Sequence, residues 1–182
     1  QDRLLPGGDA EISAFVQQAL VRDGLAVHTG CALAAAERLA DGLRLQLRRG
    51  TEAQTIDADR VLVAIGLLPN VEGLGLEATA VRVEPGRVVA DGWGATAEPG
   101  VWAIGDLTGA PMLAHRASHQ AMACVDRIAG RREGEPAPQA EIPSCVYAHP
   151  QTAWVGLTED QARAQGRAVR IGRFPLQASG KA

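Results

Sequence analysis

Val101-Trp102-Ala103-Ile104-Gly105-Asp106 is the segment that most narrows the architecture of this chain. Four apolar residues closed by glycine are typical of a short strand buried on both faces. After this segment, residues 111–130 have helical periodicity, with Pro111 near the first turn of the predicted helix and Gly130 at its end. A strand that passes through a short loop into a helix has its carboxyl end at a sheet edge where open α/β folds bind ligands. Asp106 is therefore the best single candidate for a ligand contact.

An ionised carboxylate at such an edge accepts hydrogen bonds strongly from sugar-like hydroxyls. The alternative is that Asp106 only satisfies donors of the turn or of the helix start. A helix that begins near Met112 would direct its free N–H groups toward the same edge, which suits an electron-rich carbonyl or an anion. His115 taken alone indicates little, since one histidine near a helix start is more often a structural donor than a catalyst.

Upstream of this region, the apolar spacing predicts an amphipathic helix over 9–22, behind an acidic start at Asp9. A small strand meander is predicted to follow. Its strands are expected over 25–28, 32–36, 43–49 and 51–56. Residues 60–66 again form a short apolar run closed by glycine, and they predict a second buried strand.

Downstream of Asp106, the residues expected on the inward face of the 111–130 helix are Ala114, Ala117, Ala121, Val125 and Ile128. Further elements are predicted around this helix: a strand over 86–90, a solvated connector over 131–139, strands over 144–148 and 152–155, a helix from Thr158 to Gly166, and a strand over 169–176. The chain opens on a helix and closes on a strand, so we expect it to be a fragment cut at both ends.

The composition excludes several classes of function. The 182 residues are 46% hydrophobic and 21% charged, which is typical of a globular protein, and the formal charge of −3 gives no basic field for nucleic acid. No apolar run approaches the roughly 18 residues of a membrane-spanning helix, so we expect no membrane association and a cytoplasmic location. Cys31, Cys124 and Cys145 are far apart, which predicts small buried apolar residues and no metal site.

Four motifs occur in order along the chain: Val61–Gly66, Trp102–Asp106, Met112–Ala117 and Ile142–Pro150. Together they resemble the dihydrolipoamide dehydrogenase family, within the class I pyridine nucleotide-disulfide oxidoreductases. The likeness continues through 153–156 and 172–176, so it covers essentially the whole chain. It implies an α/β fold of partial Rossmann-like FAD- and NAD-binding domains, similar to glutathione reductase, with the start of an α+β dimerisation domain.

The resemblance also implies where the domains lie. Residues 1–67 would be the C-terminal part of the NAD-binding domain, 68–139 the returning segment of the FAD-binding domain, and 140–182 the N-terminal part of the dimerisation domain. By motif match, Asp106 would bind the flavin ribitol, and Met112, Leu113, Ala114 and His115 would line the isoalloxazine. Gly66 would lie against NAD. Leu33 is a weaker backbone contact, inferred only from its position in the meander.

The activity implied is the oxidation of dihydrolipoyl groups with FAD and NAD, in which the cofactors carry the difficult steps. The sequence has no strand followed by GxGxxG and no closely spaced cysteine pair, so no catalytic residue is assigned within it. The family implies a homodimer, with a 2-oxoacid dehydrogenase complex or a lipoyl domain as a possible partner.

Some residues depart from the family pattern, among them Leu67 in place of an arginine and Ala148 in place of a threonine. They leave open another reductase of the family, such as mercuric reductase, and a non-catalytic truncated binding module also stays open. A single-domain NAD-binding protein is a poor alternative, because no glycine loop for phosphate is present. The family further implies a cis peptide bond at His149-Pro150, against an ordinary trans proline.

Overall fold

The computed structural model describes residues 1–131 and 142–180, and the predicted connector lies almost entirely outside them. The chain divides into two compact units. The first unit joins 1–59 with 145–182, and the second holds 60–144. The domain boundaries at 67 and 139 come from the family architecture and stay predictions. No helix within the described ranges has the length and apolar character that crossing a bilayer requires.

Helix α1, Ala10–Arg22, confirms the first predicted element. It buries Ser13, Val16 and Ala19, whereas Phe15 remains half exposed although it belongs to the apolar stripe. The helix ends where the N–H of Leu25 donates to the carbonyl of Leu20. This bond accounts for the failure of the predicted strand at 25–28, since the backbone of Leu25 still closes the helix.

Three antiparallel strands follow in the order β1-β2-β3, as the sequence predicts. They are β1 (Ala32–Leu39), β2 (Gly42–Arg49) and β3 (Glu52–Ala58). Leu45 in the central strand lies opposite Ala36 on one side and Ile56 on the other, which sets the register. Gly42 has φ +149°, and a Cβ there would come within 2.4 Å of a carbonyl oxygen of β3, so this position requires glycine.

The second unit begins with an extended segment, and the strand predicted over 60–66 is wrong. No strand is present there, and Leu62 and Ile65 are 91% and 94% exposed. A strand buried on both faces needs a neighbour for its backbone groups and a layer over each face. No strand of the described ranges pairs with this segment, so its apolar residues are left uncovered.

A small hairpin and an isolated bridge form the core of the second unit. The hairpin pairs β4 (Val83–Glu84) with β5 (Arg87–Val88), which is shorter than the strand predicted over 86–90. The predicted buried strand at 101–104 is reduced to a single antiparallel bridge between Trp102 and Ala95. Ala103 is nevertheless buried, in a cluster with Val81 and Val88.

Helix α2, Ala114–Ile128, is shorter than the helix predicted over 111–130, and Pro111 precedes it on a cis peptide bond. The predicted inward face is partly wrong, because Val125 and Ile128 are exposed whereas Arg116 and Cys124 are buried. The helix packs on the loop that precedes it through polar groups as well as apolar ones. Apolar spacing alone therefore points to a different face.

The end of the chain returns to the first unit with a short sheet and a helix. The sheet pairs β6 (Ser144–Val146) with β7 (Thr152–Trp154), and the His149-Pro150 bond between them is cis, as predicted. Helix α3, Glu159–Ala164, begins with a capping box of Thr158 and Gln161, which confirms the predicted helix start. The strand predicted over 169–176 is wrong, since no strand of the described residues lies there to pair.

Candidate functional site

The loop 105–113 lies between the Trp102 bridge and helix α2, and it holds the main predicted site residues. It starts with a 3-10 turn at Gly105–Thr108. Gly105 has φ +70°, and a Cβ there would stand 3.1 Å from the Cβ of Ala117, so the loop lies directly on the helix. The N–H of Gly105 donates to Oε1 of Gln120 at 2.8 Å. Residues on α2 therefore hold the start of the loop in place.

Arg116 fixes the rest of the loop. Its side chain is essentially inaccessible, with 1% relative exposure. Nη1 donates to the carbonyls of Gly109 at 2.6 Å and Pro111 at 3.1 Å, and Nη2 donates to the hydroxyl of Thr108 at 3.1 Å. That hydroxyl donates in turn to the carbonyl of Gly105 at 2.8 Å. One buried guanidinium thus binds the end of the turn that carries Asp106 and reaches the start of that turn through the Thr108 hydroxyl.

The carboxylate of Asp106 is exposed and accepts no hydrogen bond from the residues the structure describes. Only its backbone carbonyl serves the turn, accepting from the N–H of Gly109 at 3.0 Å. Burial lowers the pKa of the Arg116 guanidinium, and the negative charge of Asp106 opposes that effect. The side chain of Asp106 is therefore available to a ligand, which favours the binding interpretation over a purely structural one.

The start of helix α2 lies beside this carboxylate in sequence and carries the other predicted flavin residues. Leu113 occupies the N-cap position, and its side chain caps nothing. Met112 and Leu113 are half-buried, whereas Ala114 is exposed. The N–H groups of the first turn are left without an N-cap side-chain acceptor, which is the condition that suits an electron-rich ligand atom.

His115 has a partner within the second unit. Its Nε2 lies 2.5 Å from the carbonyl oxygen of Pro143, so the ring is hydrogen-bonded to backbone. This is the structural role that a single histidine near a helix start usually has. Its predicted place along an isoalloxazine stays a prediction.

The two residues predicted to contact NAD do not belong to this loop. Gly66 lies in the extended segment of the second unit with φ +140°, and a Cβ there would meet no atom within 4 Å. Leu33 is in β1 of the first unit, 57% exposed and next to an irregularity in the pairing of β1 with β2. Among the described residues, no cluster of polar side chains surrounds either position, and both contacts stay predictions.

Sequence reasoning assigned no role to Arg116, Thr108 and Gln120. A signal for two of them was present, because residues 113, 116, 117, 120 and 124 share one face at helical spacing. That face contains an arginine and a glutamine, which an expectation based on apolar residues alone leaves out. The polar groups that hold the loop, buried Arg116 and half-buried Gln120, therefore lie on a face that the spacing of apolar residues does not identify.

Other kinds of site find no support in the described residues. Histidine, cysteine and acidic side chains of the described ranges form no group of three or more that could hold a metal ion. The three cysteines are free thiols. Cys124 is buried, as predicted, whereas Cys145 is exposed and Cys31 is half-buried, so the prediction of buried cysteines is wrong for Cys145.

Two family models match the chain in succession. Residues 1–121 match the model described as pyridine nucleotide-disulphide oxidoreductase, and residues 142–182 match the dimerisation domain of that family. Proteins of this family use FAD and NAD(P).

Similar proteins are found across bacteria. A dihydrolipoyl dehydrogenase of Rhizobium etli is 42% identical over 180 residues, which cover 98% of this chain and 37% of that protein. Dihydrolipoyl dehydrogenase 3 of Pseudomonas putida is 40% identical over 183 residues, covering 100% of this chain and 39% of that protein. The chain therefore spans less than two fifths of the length of these relatives.

Solved structures show the same fold. LpdA of Mycobacterium tuberculosis superposes with a TM-score of 0.86 at 26% identity, over 100% of this chain and 39% of that protein. RclA of Escherichia coli, an HOCl-induced flavoprotein disulfide reductase, gives 0.83 at 23% identity, over 98% of this chain and 40% of its own, and it supports the fold alone. The predicted fold class, partial Rossmann-like domains with the start of a dimerisation domain, is confirmed by these matches. This chain belongs to the pyridine nucleotide-disulphide oxidoreductase family.

Proposed function

We propose that this chain is the flavin-orienting and dimer-forming part of a disulfide oxidoreductase that oxidises dihydrolipoyl groups. The observation that supports this most is the free carboxylate of Asp106, which lies on a turn that the buried Arg116 fixes by hydrogen bonds. The names of relatives that are 40–42% identical support the dihydrolipoyl substrate.

The residues present fit a bound flavin. An exposed carboxylate without a protein donor can accept hydrogen bonds from the hydroxyls of a ribityl chain. The uncapped first turn of α2, which follows Met112 and Leu113, can donate to a carbonyl of the ring edge. When bound, FAD passes electrons between a dithiol–disulfide pair and the nicotinamide. The chain's own contribution is to orient the flavin.

We further propose that the protein acts as a homodimer. The match of residues 142–182 to a dimerisation domain supports this. A lipoyl domain, in a 2-oxoacid dehydrogenase complex, is the partner that would present the dihydrolipoyl group. For NAD we retain Gly66 as a proposed contact on family resemblance, and Leu33 as a weaker one from its position in the meander.

A chimera tests the proposal, because the chain spans under two fifths of its relatives. Residues 1–182 replace the matching 180 residues of the Rhizobium etli enzyme, and flavin content and NAD-dependent oxidation of dihydrolipoamide are measured beside the parent. We expect a yellow, active chimera. A well-folded chimera that binds no flavin would refute the proposal. A flavinated one without turnover would favour the non-catalytic binding module.

A further inference from the structure

Two segments far apart in sequence meet inside the first unit: residues 2–13, and residues 154–173. The family matches assign them to different domains, the first within 1–121 and the second within 142–182. We infer that their contact is a joint that fixes helix α1 to the dimerisation part of the chain, with Asp9 as its central positioning residue. This inference rests on contacts within one compact unit and does not depend on the proposed substrate or cofactors.

Asp9 stands at the N-cap of α1 with ordinary N-cap dihedrals, φ −63° and ψ 146°, yet its side chain caps nothing in its own helix. Instead, Oδ1 accepts a hydrogen bond from the N–H of Glu159 at 2.7 Å. Glu159 is the first residue of α3. The capping box of this helix gives acceptors to the N–H groups of Thr158 and Gln161 but none to the N–H of Glu159. Asp9 therefore supplies an acceptor for one free N–H at the N-terminus of a helix 150 residues away.

A second contact joins Glu11 in α1 to Arg173. Nε of the guanidinium donates to both carboxylate oxygens at 2.7 and 3.0 Å, and Nη2 donates to Oε2 at 2.8 Å. Exposed ion pairs contribute little stability one at a time. A fork of this kind does, however, constrain orientation, because the guanidinium and carboxylate must stay coplanar. The pair therefore adds direction to the joint more than strength.

Aromatic packing supplies a third contact. The indole of Trp154 in β7 lies 3.6 Å from the positions that a Cβ would take at Gly7 and at Gly8. A Cβ at either glycine would stand at ordinary van der Waals distance from the ring, so the glycine backbone lies close to the indole. The guanidinium of Arg3 donates to the carbonyl of Gly8 at 3.1 Å and lies 3.8 Å from the carboxylate of Asp160.

The loop itself is anchored to the helix that it precedes. Ser13, 2% exposed, donates from its hydroxyl to the carbonyl of Leu4 at 2.5 Å. Segment 2–13 is thus fixed internally, and it meets the dimerisation part through a helix cap, a charged fork and a ring on glycine backbone. Three contacts of different chemistry restrict the relative motion of the two segments more than a single contact would. We therefore expect α1 and the dimerisation part to move as one body.

The test is amide hydrogen exchange of the 182-residue chain, followed at the N–H of Glu159. Asp9→Ala removes the acceptor and should raise the exchange rate about tenfold. Asp9→Asn keeps an oxygen acceptor and should stay within about threefold of the unsubstituted chain. Asp41→Ala, the same change in the β1–β2 turn of this unit, should leave the rate unchanged. Equal exchange in Asp9→Ala and the unsubstituted chain would overturn the inference, as would an equal rise in Asp41→Ala.

A charge swap provides an independent test should Asp9→Ala not fold. Glu11→Arg and Arg173→Glu each place like charges together, and each should speed exchange at Glu159 several-fold. The double variant restores an opposite pair and should return within about twofold of the starting rate. A double variant that exchanges as fast as the faster single one would show that the two segments are not joined through this pair.

Discussion

Replacing Arg116 with methionine should destabilise the second unit, because it removes the donors that hold the 105–111 turn. The carbonyls of Gly109 and Pro111 would lose a partner that lies at 2.6 and 3.1 Å. A buried acceptor left unpaired costs about 1–3 kcal/mol. Removing a guanidinium that is 1% exposed also ends its own desolvation cost, which offsets part of the loss. We expect a net loss of about 2–4 kcal/mol in the free energy of unfolding.

Urea unfolding followed by tryptophan fluorescence measures this loss, since Trp93 and Trp102 both lie in the second unit. Arg82→Met is the matched control, because Arg82 is exposed in the same unit. Arg116→Lys keeps the charge and should fall between the unsubstituted chain and Arg116→Met. A free energy of unfolding for Arg116→Met within about 0.5 kcal/mol of that for Arg82→Met, the range of ordinary surface changes, would refute this prediction.

Three further predictions concern single groups. The hydrogen-bonded guanidinium of Arg173 lowers the pKa of Glu11 below its ordinary 4.5. The stability that this pair contributes is therefore present above pH 4.5 and is lost as the pH falls through the lowered pKa. Acid unfolding of Glu11→Gln should lack that step. Burial raises the pKa of the Cys124 thiol, so mass spectrometry should show iodoacetamide labelling the exposed Cys145 well before Cys124. Gly42→Ala should cost about 2–3 kcal/mol in urea unfolding, because its Cβ would come within 2.4 Å of a carbonyl oxygen; an unchanged midpoint would contradict this.

Local patterns in the sequence predicted the elements that make their own bonds. Helix α1, the β1-β2-β3 meander and the capped start of α3 each satisfy their backbone within a short span of chain. Periodicity and capping residues are signals of this local kind. These elements were therefore found with bounds close to those observed.

The predicted buried strands failed for a physical reason. The runs at 60–66 and 101–104 have the composition of strands inside a parallel sheet. Such strands form only where neighbours supply hydrogen bonds and layers cover both faces. The described residues pair one of them through a single bridge and the other not at all. The composition of a segment indicates that it suits a buried strand. It does not indicate whether neighbouring strands and covering layers are present.

The candidate site was predicted in part. Asp106 could be singled out because an acid after an apolar strand is a local signal. Arg116 could not, because its importance comes from backbone carbonyls that the loop turns toward it only when folded. Charged side chains are rarely buried, so an arginine in a sequence is expected to be exposed. The residue that supports the site was therefore the one that sequence patterns assign to solvent.

Titration of the apo form of the Rhizobium etli chimera with FAD tests the central claim most directly. Asp106→Ala removes the one carboxylate on the loop that is free to accept ligand hydroxyls, and Asp41→Ala is the same change in a turn of the first unit. We expect the dissociation constant for FAD to rise about tenfold or more in Asp106→Ala and to stay unchanged in Asp41→Ala. Equal affinity in both variants would contradict the assignment of Asp106 to the flavin.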